Sequence, residues 1–171
     1  MLIKMFNKKH LSLVLAALLA FTALILPSCG TTASYSIETP VSKLAAAADD
    51  ALPQGSSMTD VPDDYIKGMM KIDVSAFAEH VVKIQSSGIN IDEYGIFKAP
   101  SDDAVDSIKG IVDNYLAMRL DTWMEEYMPE EKPKLQSATV KVMGRYVVYC
   151  ILSDDAKSDV FSAIDSILRV K

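Results

Sequence analysis

Cysteine, histidine and tryptophan are scarce in this sequence of 171 residues, which holds two, two and one of them. Two thiols cannot build the cross-linked framework that substitutes for a core in small secreted domains, so the chain must rely on a packed interior. Positive charge is also in short supply, with 17 basic against 23 acidic side chains. A surface of that sign repels phosphate backbones, which argues against nucleic acid as a partner. No Gly-x-Ser-x-Gly, Ser-x-x-Lys or Cys-x-x-Cys occurs, and the seven glycines form no loop that would cradle a phosphate. What is present is apolar material. Half of the residues are hydrophobic, the proportion of a packed protein rather than a disordered one. The length suits a single domain.

The first apolar run covers residues 11–26, follows Lys4, Lys8 and Lys9, and closes in Leu26-Pro27-Ser28-Cys29-Gly30. It is shorter than the about 20 residues that a stable bilayer-spanning helix needs, so residues 1–28 read as a signal peptide. Leucine, a small residue, cysteine and a second small residue at the end of such a run resemble the lipobox of bacterial lipoproteins. That resemblance implies a diacylglycerol on Cys29 and removal of the leader before it. Small residues at Ser28 and Gly30 let the backbone enter the processing sites, and a thiol is the one strong nucleophile there. Acyl chains contribute about 0.8 kcal/mol per buried methylene, so two or three of them on Cys29 hold a protein at a membrane. The expected address is therefore the extracytoplasmic face of the cell membrane. Three lysines and no acids leave with the leader, which takes the mature chain to a net charge of −9. Cys150 is then left without a partner.

The mature chain divides into a small polar tether at 29–39, an N-terminal helix with a linker at 40–61, and a single α+β domain at 62–171. Pro40 suits a first helical position ahead of the alanine-rich 41–52 segment, and Pro53 stops it. A short helix fits 62–70. Asp73 is placed to cap a further turn before the chain extends through His80-Val81-Val82-Lys83-Ile84. Residues 92–99 are aromatic and apolar between turn signals, the pattern of a strand. Ser101-Asp102-Asp103 reads as the capped start of a long helix that runs to about Tyr127, where Pro129 and Pro133 bar its way. Strands at 138–143 and 146–152 flank Gly144-Arg145, a tight-turn pair. Ser153 caps a last helix with Val160, Ile164, Ile167 and Leu168 in one stripe.

Laid on itself at an offset of 52, the sequence matches Tyr94 with Tyr146 and residues 101–104 with 153–156 as Ser-Asp-Asp-Ala. Ile96 meets Val148, Ile108 meets Val160, and Val112 meets Ile164. The expectation is two ββα units forming a two-layer sandwich, with a four-stranded antiparallel sheet and both long helices on one face. The other face then needs the N-terminal helix or a second protein as cover.

The stretches MMKIDVSAFAEHVVKI, NIDEYGIFKA and VKVMGRYVVYCILSDDA, in this order and followed by a helix, resemble the domain-of-unknown-function family 4358. The family is found in lipoproteins and secreted proteins of Gram-positive anaerobes. The resemblance implies an extracytoplasmic location and this order of elements. The family has no assigned activity, so it lends no functional residue.

Chemistry is sparse. His80, Cys150 and a lipid-bearing Cys29 do not make a zinc site, and no metal or cofactor is expected. The acid pairs Asp63/Asp64, Asp102/Asp103 and Asp154/Asp155 stand at helix starts and lack the alternating pattern of a calcium loop. His80 reads as a half-exposed surface residue, and Cys150 as a small core hydrophobe. Arg119 is the exception, because helical spacing sets it within an apolar face. The plainer expectation is that the helix overshoots the sheet, so that the Arg119 head reaches water or terminal carbonyls. The sharper one is a buried ion pair, or an anion-accepting group in a cleft beside Trp123 and Tyr127. These readings lead to the expectation of a non-catalytic binding module with an envelope protein as partner. The alternative is a cell-envelope hydrolase that uses surface carboxylates.

Overall fold

A computed structural model describes residues 34–170 of the chain. The expected leader, Cys29 and the first part of the tether lie outside the described residues. Helix α1, Val41–Ala51, is alanine-rich and turns Val41, Leu44, Ala45 and Ala48 inward. That is the i, i+3, i+4, i+7 stripe of an amphipathic helix. Strand β1, Met58–Asp60, follows, then helix α2, Asp63–Gly68, and a 3-10 turn at Val74–Ala76. Asp73 caps that turn by accepting from Ser75 N at 3.0 Å. Strands β2, Glu79–Gln85, and β3, Glu93–Lys98, lead into helix α3, Val105–Asp121. A short helix α4, Lys132–Gln136, precedes the hairpin of β4, Thr139–Met143, and β5, Tyr146–Ile151. Helix α5, Asp154–Leu168, closes the fold.

The result is α+β, with one antiparallel sheet in the order β1-β2-β3-β5-β4. It has five strands rather than four. The additional one is β1, formed within the segment read as a linker: Met58, Thr59 and Asp60 pair with Gln85, Ile84 and Lys83. Three polar-flanked residues carry no periodicity from which a strand can be read.

The one-face arrangement of helices is also corrected, because the long helices lie on opposite faces. Tyr94, Ile96, Tyr146 and Val148 pack with α1 and α5, while Phe97, Val147, Tyr149 and Ile151 pack with α3. The repeat holds for the strands, whose matched residues share a face, and fails for the helices. Ser153 has φ −58° and its hydroxyl accepts from Ala156 N, whereas Ser101 has φ −148° and makes no capping bond. Asp102 is engaged instead by Arg145 Nε of the hairpin turn at 2.7 Å. The same four letters thus leave their strands at different angles, and both faces of the sheet are covered.

Helix α3 ends earlier than its composition suggests, at Asp121 rather than near Tyr127. Thr122 turns its hydroxyl onto Met118 O at 2.8 Å, and Trp123 folds back against the α3 side of the core. The β4–β5 hairpin forms as expected, with Gly144 at φ +61°.

Cys150 is fully buried, and burial pushes its thiol up to about 12. It should resist disulfide-exchange reagents at pH 8 in the folded protein and react on denaturation, as followed by thiol labelling in increasing urea. The folded thiol lies above the unfolded value of about 8.5, so its contribution to stability is intact below that pH and lost above it. Burial raises the phenols of Tyr94, Tyr115 and Tyr149 as well, in the same direction. The urea midpoint should therefore fall as pH rises from about 8.5 toward 12.

Candidate functional site

Two ends of the sheet can be distinguished by register. Glu79, Lys98, Tyr146 and Met143 mark one, and Gln85, Glu93, Ile151 and Thr139 lie toward the other. The second end carries the unusual chemistry. Glu93 opens β3 and is 2 % exposed, a buried acid at the head of an apolar strand. Its Oε1 accepts from the hydroxyls of Tyr115 and Tyr149, each at 2.6 Å, and its Oε2 accepts from Arg119 Nη1 at 2.7 Å. Arg119 Nη1 also donates to the Tyr115 oxygen at 2.8 Å.

Local sequence explains each member. Tyr115 and Arg119 stand four apart on α3, so both reach the same side of the helix. Tyr149 pairs with Gly95 across β3 and β5. A Cβ on residue 95 would come within 2.2 Å of Tyr149 Cε1. The glycine is therefore the space through which the phenol lies over β3 and reaches Glu93.

The electrostatics follow from burial and pairing. Burial alone would lower the Arg119 value, but the Glu93 charge and the bonds to Glu93 and Tyr115 outweigh it and raise it. Burial is the main cause that lifts the Tyr115 and Tyr149 phenols, with the Glu93 charge next. Both remain donors at any ordinary pH. The expectation that Arg119 reaches terminal carbonyls is therefore corrected: its Nη1 pairs with the buried Glu93 carboxylate, the ion pair of the sharper expectation.

Arg119 is nevertheless not sealed, since its side chain is 29 % exposed. It lines a cleft of about 370 Å³ with Glu93, Ile84, Ile91, Tyr65 and Tyr127. Among the described residues only Nη1 is engaged, so Nε and Nη2 have no protein acceptor. Tyr65 and Tyr127 stand at the rim, 45 % and 54 % exposed. The loop on one side is held by Ile91 N donating to Glu131 Oε2 at 3.1 Å, and by Lys134 bridging Asp92 and Glu131 at 2.8 Å. Asn90 and Gln85 direct their carbonyl oxygens to Asp92 N and Ser86 N, which leaves their amide NH₂ groups as donors.

Of the residues singled out from sequence, Arg119 and Tyr127 meet in this cleft. Trp123 does not line it. It packs half-buried against the core, and its Nε1 has no partner among the described residues. Sequence reasoning missed Glu93, Tyr115, Tyr149 and Tyr65. The one available signal was an acid two residues before a glycine in an otherwise apolar strand. His80 faces Asp63 at 3.0 Å, at the start of α2. A larger groove, about 620 Å³, runs beside β4 and α5; among its polar side chains Tyr35, Asp165 and Arg169 are bonded to one another, and Lys141 and Ser162 also line it.

A family model described as a domain of unknown function, DUF4358, matches residues 50–152. That span contains Glu93, Tyr115, Arg119, Tyr149 and the cleft-lining segments. No curated protein and no solved structure matches the chain.

Arg119→Leu leaves Glu93 buried without its cation, a change that costs about 3 kcal/mol or more. Gly95→Ala forces Tyr149 off the strand and should cost about 1–3 kcal/mol. The exposed Tyr127→Ala should stay within about 0.5 kcal/mol. Urea denaturation of the three variants measures all of these.

Proposed function

The chain belongs to the domain-of-unknown-function family DUF4358, and from that premise we propose a lipoprotein held by Cys29 on the extracytoplasmic face of the cell membrane. In this reading it is a non-catalytic module that binds an envelope partner through the cleft around Arg119. The leader and the Leu26-Pro27-Ser28-Cys29-Gly30 sequence support the address. One observation carries the binding reading: two exposed tyrosines stand over an arginine that is fixed through Nη1 and offers Nε and Nη2 to the cleft. A pre-oriented donor pair below aromatic walls is the composition of a recognition site, where rigid amphipathic rings and a held guanidinium lose little freedom on binding.

The cleft is less suited to hydrolysis. General acid or base work would fall to Glu93 or to Asp92, the two carboxylates that line the cleft; both Glu93 oxygens already accept from Tyr115, Tyr149 and Arg119, and Asp92 Oδ1 accepts from Lys134. Glu93, 2 % exposed and already accepting three bonds, is poorly placed to reach a substrate proton.

Two measurements on intact cells test the reading. Cys29→Ser should move the chain from the membrane fraction to the medium or leave the leader uncleaved. Normal processing and membrane retention of that variant would contradict the anchor. A photo-crosslinker at Ile89, on the loop that borders the cleft, should give a discrete adduct. Tyr65→Ala together with Tyr127→Ala should abolish the adduct without altering stability. An adduct unchanged by the double substitution removes the cleft from the account.

A further inference from the structure

Where the structure begins to describe it, the tether next to the expected anchor is bound down. Val170 N donates to Ser34 O and Ser36 N donates to Leu168 O, each at 2.8 Å, so these residues pair with the end of α5. The Tyr35 hydroxyl donates to Asp165 Oδ1 at 2.8 Å, and Arg169 Nη2 holds Oδ2 of the same carboxylate at 2.8 Å. Tyr35 lies against Gly144, where a Cβ would come within 2.9 Å of its own. Tyr146 adds a bond from its hydroxyl to Thr39 O at 2.6 Å. Gly144 and Tyr146 belong to the hairpin-turn end of the sheet, whereas the Arg119 cleft is built on the end marked by Gln85 and Glu93.

We infer that this clasp orients the anchored domain, with the hairpin-turn end against the bilayer and the Arg119 cleft facing away from it. The inference rests on the reading of Cys29 as the lipid-bearing residue. Lengths decide it. Between Cys29 and Ser34 the chain can extend at most about 18 Å. A domain the size of the described residues has a radius of gyration of about 14 Å, equivalent to a sphere of radius about 18 Å. A tether no longer than that radius, fixed at one end of the body, cannot bring the opposite end to the headgroups. Without the clasp the free length to Thr39 would be about twice as great, at most about 35 Å, and a much wider range of tilts would open to the body.

The surface at the clasped end suits such a neighbour. Lys141 stands there beside Val142, with Val170 at the end of the chain's last helix, all exposed, while Arg169 is neutralised by Asp165. Lys141 Nζ sits 4.4 Å from the Phe161 ring centroid. In a chain with a marked excess of acids, a lysine unpaired among the described residues and next to exposed apolar side chains matches the boundary of an anionic leaflet.

The test uses the full chain, expressed with its leader and reconstituted into phosphatidylcholine/phosphatidylglycerol vesicles that carry a headgroup energy acceptor. A donor dye is placed on Val142→Cys or on Ile89→Cys, with the buried Cys150 left unlabelled. Energy transfer from position 142 should exceed that from position 89 several-fold. The difference should narrow when a flexible glycine-serine segment is inserted between Ala33 and Ser34, which lengthens the tether and leaves the fold untouched. Tyr35→Ala with Asp165→Ala should narrow it in the same way. Equal transfer from the two positions in membrane-bound protein overturns the orientation and leaves the anchor intact. Failure of the chain to float with the vesicles overturns the anchor, and the orientation with it.

Discussion

A single buried carboxylate, Glu93, ties the two central strands to the long helix and sets the floor of the cleft. An acid out of water is costly unless its oxygens are hydrogen-bonded, and here two phenols and a guanidinium engage both of them. Those donors come from α3 and β5, so satisfying one charge fixes the helix over the sheet and the register between β3 and β5. Gly95 is the structural condition for this, since any side chain there would occupy the volume of the Tyr149 ring. Such networks contribute little net stability compared with well-packed apolar groups. Their effect is to disfavour arrangements that leave the charge unpaired.

The same network links packing to the proposed recognition role. Arg119 is held by one nitrogen against Glu93 and therefore presents its remaining donors in one direction, below Tyr65 and Tyr127. The other end of the sheet is built differently. There the polar groups of Tyr35, Asp165 and Arg169 neutralise one another and fasten the N-terminal segment to the C-terminal helix. One end is closed on itself and the other is open, with helices over both faces of the sheet between them.

Local features of the fold were legible in the sequence. Gly144-Arg145 marks its hairpin because a left-handed backbone there favours glycine, and the capped stripe from Asp154 to Leu168 forms the helix it describes. Cys150, set among branched and aromatic residues, is a core side chain as its surroundings suggested. What sequence did not reveal were decisions taken over distance. The chain enters the helices after β3 and β5 with different φ at Ser101 and Ser153, and Arg145, more than forty residues on, holds Asp102 beside the uncapped Ser101. Arg119 was visible as an inconsistency on an apolar helix face, but its partner lies 26 residues earlier on a strand. A periodicity argument can show that a charge needs a counterpart without showing which one supplies it. Strand β1 was illegible because its pairing with β2, rather than its own composition, makes it a strand.

The central claim is that Glu93 and its phenol donors act as one unit. A double-mutant cycle between Glu93→Gln and Tyr149→Phe, read by urea denaturation, tests it most directly. Residues in one buried network show interaction energies of about 0.5–3 kcal/mol, and we expect a value above about 1 kcal/mol for this pair. If the two substitutions add to within about 0.3 kcal/mol, as independent sites do, the carboxylate does not organise the fold in the way described.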